Sequence, residues 1–190
     1  MNDKTIIFIG GYLAAGKTTF SEYLSRQLQV LCVNKDYMKE ILCDAIGFED
    51  RTQNLKMSHA TFNVMLHLAE QSMKVGQSII LESNFRPTDG EQLFPLIKKY
   101  GYTAVTIMMV GDLQVLYERF VKRLEGRHPA HLSATPDFDG FVEHCTLIEQ
   151  FNICGERIII DMTDLESIAY DNIIHTNAQL CNLCKRINKN

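Results

Sequence analysis

Apolar residues fall along this chain in two rhythms. Short unbroken runs at residues 5–9, 30–33, 78–81, 103–110 and 157–161 have the length and β-branched character of buried parallel strands. Between them, apolar residues three and four apart predict helices. The first carries Phe20, Leu24 and Leu28, and the second Met38, Ile41, Leu42 and Ala45, stopped by Gly47. A long third carries Met57, Thr61, Val64, Met65, Leu68 and Ser72 over 57–75, closed by Gly76, and leaves 47–56 as a polar, irregular connection. Further helices are expected at 91–100 despite Pro95, from Leu113 onward, through Phe141, Val142, Cys145, Ile148 and Phe151, and as one closing helix over about 165–187. Five strands alternating with helices predict an α/β fold, a parallel sheet covered on both faces and built from right-handed crossovers.

The first strand runs into Gly11-Tyr12-Leu13-Ala14-Ala15-Gly16-Lys17-Thr18-Thr19, and a helix opens there. The spacing Gly-x4-Gly-Lys-Thr is that of a phosphate-binding loop. Gly11 and Gly16 permit backbone angles that let successive N–H groups turn inward around a polyphosphate. Lys17 reaches the β- and γ-phosphates, Thr18 offers a hydroxyl to Mg²⁺, and the helix opening at Lys17 adds the positive end of its dipole. A nucleoside triphosphate, expected to be ATP with Mg²⁺, is the ligand this stretch predicts.

Composition narrows the classes. At 190 residues with 46% hydrophobic content the chain is expected to form one domain, 1–190. A net charge of −4 argues against a broad basic surface for duplex nucleic acid. The apolar run after the amino terminus is too short for a signal peptide or membrane span, so a cytoplasmic protein without a membrane partner is expected. Six cysteines are read as reduced thiols, and Cys181 with Cys184 as one side of an apolar helical face rather than half a zinc site.

Polar residues at strand ends supply the remaining chemistry, because ligands of open α/β sheets bind at the carboxyl edge. Asp36 follows the second strand, where it serves equally as a helix N-cap or as a general base. Glu82, closing the third strand, is a candidate for the metal shell, through water, or a structural carboxylate. Asn84 and Arg86 lie just beyond it, placed for the acceptor or a phosphate. Arg119, Arg123 and Arg127 recur every fourth residue and share a helical face, an arrangement that suggests a polyanion beneath them. Residues 130–140 have loop composition, so about 119–140 reads as a mobile arginine-bearing lid.

In this order the motifs resemble the small P-loop kinases that include chloramphenicol phosphotransferase, zeta toxins and the kinase domain of polynucleotide kinase. The matching stretches are 11–18, Lys35-Asp36, 81–85, 119–131 and 160–163. The resemblance implies a three-layer sandwich with strand order 2-3-1-4-5, Asp36 as the base toward an acceptor hydroxyl, and Arg119, Arg123 and Arg127 as phosphate ligands. It also implies that residues 161–163, with Thr163, flank the nucleotide base. Ala130 departs from the group, which often has glycine between the proline and the histidine. The acceptor stays open. An ATP-dependent kinase of a small-molecule or nucleotide-like alcohol leads; an acceptor-free ATPase or switch, a toxin-like sugar-nucleotide kinase and a nucleic-acid 5′-hydroxyl kinase are the alternatives.

Overall fold

The computed structural model describes residues 4–131, 137–164 and 169–188. Strands β1 (Thr5–Gly11), β2 (Leu31–Asn34), β3 (Ile79–Glu82), β4 (Thr103–Val110) and β5 (Glu156–Asp161) form one sheet. Every pairing is parallel and the order is β2-β3-β1-β4-β5, as the resemblance implies. All seven residues of β1 are buried, since it lies between β3 and β4 and both of its faces are covered. Its alternate side chains divide the interior: Ile7 and Ile9 enter one core, Ile6 and Phe8 the other.

Helices α1 (Lys17–Leu28), α5 (Leu113–Arg123), α7 (Tyr170–Thr176) and α8 (Ala178–Ile187) cover the Ile7 face through Leu24, Leu116, Ile174 and Leu183. Helices α3 (Arg51–Lys74) and α4 (Asp89–Tyr100) cover the Phe8 face through Met65 and Leu93, and α6 (Phe138–Glu149) reaches both cores. Phe8, Phe85 and Phe151 interlock there, with ring centroids 4.9–5.8 Å apart.

Several elements differ from their sequence expectation, each for a local reason. The strand at 30–33 was expected to be buried, yet β2 is an edge and leaves Leu31 59% exposed. Helix α2 (Lys35–Ile46) buries Lys39 and Cys43 while Ile41 and Ala45 face outward, because α2 packs on α3 and on the turn Pro129–His131 rather than on the sheet. Helix α3 begins at Arg51, not Met57: the Asp50 carboxylate accepts from the Gln53 N–H at 2.8 Å and extends the helix into the stretch read as irregular. Its buried face runs through Asn54, Thr61, Phe62, Met65, Ala69 and Met73, leaving Val64 exposed. Pro95 stays inside α4 on its exposed side, where the carbonyl that loses its partner reaches water. The expected closing helix is two helices within the described residues, broken at Asn177, whose side chain accepts from Gln179 N and Leu180 N; 165–168 lie outside the described residues.

Cys181 and Cys184 carry free, half-buried thiols beside the buried Leu180 and Leu183, and no group of three metal-binding side chains occurs among the described residues. Among those residues no helix is long and apolar enough to cross a membrane.

Gly11 and Gly126 give a matched test of backbone constraint. A Cβ on Gly11, at φ +133°, would stand 2.0 Å from the Met109 carbonyl oxygen, whereas one on Gly126 meets nothing within 4 Å. In urea unfolding, Gly11→Ala should lose about 2 kcal/mol or more, and Gly126→Ala should stay within about 0.5 kcal/mol of the parent.

Candidate active site

The loop after β1 is built from its glycines. Gly11 passes directly under β4, and the Tyr12 N–H donates to the Met109 carbonyl at 2.8 Å. Ala14 (φ +60°) and Gly16 (φ +81°) then adopt left-handed backbone, which folds the chain back so that α1 starts at Lys17. The Lys17 ammonium donates to the carbonyls of Gly11 (3.0 Å) and Tyr12 (2.7 Å), so it bridges the loop and, among the described residues, pairs with no carboxylate. Burial lowers its pKa, with Glu82 and Asp36 acting in the opposite direction.

Strand register brings the next polar residues to this loop. Asn34 and Glu82 are paired at the ends of β2 and β3, and Glu82 is also in register with Ile9. Glu82 is 5% exposed and accepts from the Thr18 hydroxyl at 3.2 Å and from the Asn34 amide. Asn34 also caps α2, its Oδ1 accepting from the Tyr37 N–H at 3.0 Å. The capping role open to Asp36 therefore belongs to Asn34, and Asp36 stands in the first turn with its carboxylate free of that duty. Burial raises the Glu82 carboxyl to about 7, with Lys17 opposing and Asp36 adding to the rise. The Thr18 hydroxyl and Glu82 carboxylate are hard oxygen donors, a set that suits Mg²⁺.

Two cavities open at the carboxyl edge of the sheet. The first, about 420 Å³, is lined by Leu13, Ala14, Gly16, Lys17, Thr18, Thr19, Glu82 and all three arginines of the predicted series, Arg119, Arg123 and Arg127. The second, about 600 Å³, is lined among others by Lys35, Lys39, Arg51, Asn54, Ser58, Arg86, His131 and His144. Leu13, Asp36, Asn84, Phe120 and Arg127 line both. Asp36 thus stands where one space gives onto the other.

The arginines have different surroundings. Arg119 donates to the carbonyls of Met162 (2.7 Å) and Thr163 (2.6 Å), fastening α5 to the segment after β5. Arg123 ends α5, and Arg127 follows the 3-10 turn Leu124–Gly126 with its guanidinium 5.6 Å from the Phe120 ring centroid. Burial lowers the Arg127 pKa, Asp36 raising it and Arg123 lowering it further.

Other predicted residues face elsewhere. Thr163 lines neither cavity; its hydroxyl accepts from Asp112 N and donates to Asp161. Tyr12 turns its hydroxyl to Glu149 at 2.8 Å, and Ala15 is fully buried.

Inside the expected lid, the turn Pro129–His131 is bonded to α2 and α3. Ala130 is fully buried, and its carbonyl accepts from the Lys39 ammonium (2.8 Å) and the Asn54 amide (2.9 Å). His131 bonds Glu40 at 2.9 Å and His128 bonds Asp44 at 3.0 Å. Within the lid read at about 119–140, Ala130 and His131 are thus bonded to α2 and α3; residues 132–136 lie outside the described residues. Sequence reasoning missed Asn34, Lys39, Asn54, His131 and His144. Only Asn34 carried a local signal, an asparagine three residues before a helical N–H.

With this geometry in view, the likenesses to known proteins become informative. The sequence profile of the zeta toxin family matches residues 2–146. No curated protein sequence matches the chain. The crystal structure of a protein described as a kinase from Chloroflexus aurantiacus is similar, with TM-score 0.78 and 28% identity over 94% of this chain and 98% of that one. Shikimate kinase from Bacteroides thetaiotaomicron (TM-score 0.58, 17% identity, 94% and 98% covered) shares the fold. So does a gluconokinase from Sinorhizobium meliloti (TM-score 0.57, 13% identity, 98% and 97% covered). A phosphate-binding loop at the centre of a 2-3-1-4-5 sheet, joined to a family match over most of the chain, makes this a P-loop protein of kinase-like fold that belongs to the zeta toxin family.

Proposed function

We propose that the protein is an ATP- and Mg²⁺-dependent phosphotransferase that moves the γ-phosphoryl group to an alcohol, with Asp36 as the base. The observation that carries this reading is the position of Asp36 on both cavities. With a triphosphate held on the loop of 11–18 and an alcohol in the second cavity, Asp36 would be the carboxylate that both spaces share.

In the transfer, Asp36 takes the proton of the acceptor hydroxyl as its oxygen bonds to the γ-phosphorus. The bond from that phosphorus to the β,γ-bridging oxygen breaks, and ADP leaves with the electron pair. Lys17, already within the loop, exchanges carbonyl oxygens for phosphate oxygens. Arg123 and Arg127 hold the equatorial oxygens, while Arg119, engaged with Met162 and Thr163, positions α5. Thr18 and Glu82 would hold Mg²⁺, which supplies charge neutralisation at the phosphates. Asn84 and Arg86 orient the acceptor.

ATP consumption measured across a panel of alcohols should depend on the acceptor. Asp36→Asn should lower turnover by about 10² or more with nucleotide affinity little changed, and Lys17→Ala or Arg123→Ala by about 10³. Turnover that ignores every acceptor and survives Asp36→Asn would favour an ATPase or switch.

Glu82 gives a pH test. Its folded value of about 7 lies above the ordinary 4.5, so folding favours the protonated form and ionisation costs stability. Without Mg²⁺, stability should fall as pH rises from 5 to 8 by up to roughly 3 kcal/mol. Thermal unfolding of Glu82→Gln should lack that slope, and a slope of equal size in the variant would remove the assignment.

A further inference from the structure

The second cavity carries a charge imbalance that a nucleotide in the first does not resolve. Lys35, Lys39, Arg51, Arg86 and Arg127 line it, against the carboxylates of Asp36 and Asp89. Of these five cations only Arg127 also lines the first cavity. Asp89 accepts the Arg86 backbone N–H at 2.8 Å, and Asp36 is the proposed base.

The hydrogen-bond partners of Lys35 and Lys39 are neutral. Lys39 is 7% exposed, and among the described residues its ammonium bonds to the oxygens of Asn54 and Ala130, at 2.8 Å each. Lys35 donates to the Ser58 hydroxyl at 3.0 Å. Among the described residues, Lys35, Lys39 and the Arg86 guanidinium take part in no ion pair. Lys39 is the buried one of the three, Lys35 being half-buried and Arg86 exposed; a cation held away from water without an ion-pair partner is costly, and a second cation beside it adds to the cost. The lowered pKa of Lys35 reflects both: burial first, with Asp36 and Asp89 opposing and Arg86 adding. Two further atoms at the same cavity are buried and without a partner, Asn84 Oδ1 and His144 Nε2. An acceptor that filled the cavity would meet an unused carbonyl oxygen and an unused ring nitrogen as well as the cations.

We infer that the alcohol accepted here bears a compact anionic group, a carboxylate or a phosphate, bound by Lys35, Lys39 and Arg86 in the part of the second cavity that the nucleotide does not share. The fate of its hydroxyl rests on the phosphotransferase reading above; the binding of the anion does not. Neutral polyols would leave the three cations without a counter-charge and bind correspondingly weakly.

Calorimetric titration of the full chain, saturated with MgADP so that the phosphate-binding loop is filled, tests this with three probes: malonate, 1,3-propanediol as the neutral diol of the same carbon chain, and inorganic phosphate. Malonate or phosphate should bind at least tenfold more tightly than the diol, and the stronger of the two identifies the anion as carboxylate or phosphate. Arg86→Gln and Lys35→Gln, both outside the first cavity, should each weaken that anion by about tenfold, with the diol unaffected. Anion and diol binding within threefold of one another, no detectable anion binding, or anion binding unchanged in both variants would overturn the inference. Because binding is read without turnover, an inactive protein that still selects the anion would overturn the transfer reading and leave this one standing.

Discussion

A strand buried on both faces has nowhere to place polar chemistry except at its ends. β1 is such a strand, and its complete burial between β3 and β4 fixes where the chain must emerge. The exit is tight: Gly11 passes so near the Met109 carbonyl that any side chain would collide with it. From there the left-handed backbone at Ala14 and Gly16 reverses the chain and opens α1 at Lys17. Parallel pairing brings the ends of β2 and β3 to the same edge, so Asn34 and Glu82 meet Thr18 without any residue between them being close in sequence. The site is the consequence of strand order and burial acting on a handful of polar residues.

Electrostatics at this edge follows from the same burial. Lys17 and Glu82 are close enough to influence one another, yet among the described residues neither is in a direct ion pair: the lysine holds loop carbonyls, and the glutamate holds a hydroxyl and an amide. Each group is therefore shifted toward its neutral form by burial, with only partial relief from the other. In the proposed phosphotransfer, ligands that bring charge of their own would relieve both groups, phosphate for Lys17 and a divalent cation for Glu82.

The sequence made the strands, the loop of 11–18 and the arginine series legible because each depends on spacing within a few residues. Apolar runs mark strands irrespective of their neighbours, and Gly-x4-Gly-Lys-Thr is local by nature. The orientation of α2 was not legible, because Lys39 is buried by partners far along the chain, Asn54 and Ala130. Amphipathic reading placed Ile41 inward on the assumption that α2 faces the sheet; it faces α3 and the turn at Pro129–His131 instead. Of the second cavity, Asp36, Asn84 and Arg86 were legible from their places after strands, but Lys35, Lys39 and Arg51 were not, since they come from α2 and α3 and no local pattern joins them to the rest. The capping ambiguity at Asp36 could be resolved only by seeing Asn34 in the capping place.

Ala130 departs from the residue often found between proline and histidine in similar kinases, and its surroundings give that difference a mechanical meaning. Its carbonyl oxygen engages donors from two helices at once, Lys39 of α2 and Asn54 of α3. Upstream, Arg119 ties α5 to the carbonyls after β5. The stretch carrying Arg123 and Arg127 is thus held at Arg119 on one side and at Ala130 on the other. A rearrangement of α2 against α3 would bear on the segment of Arg127, the arginine that the two cavities share.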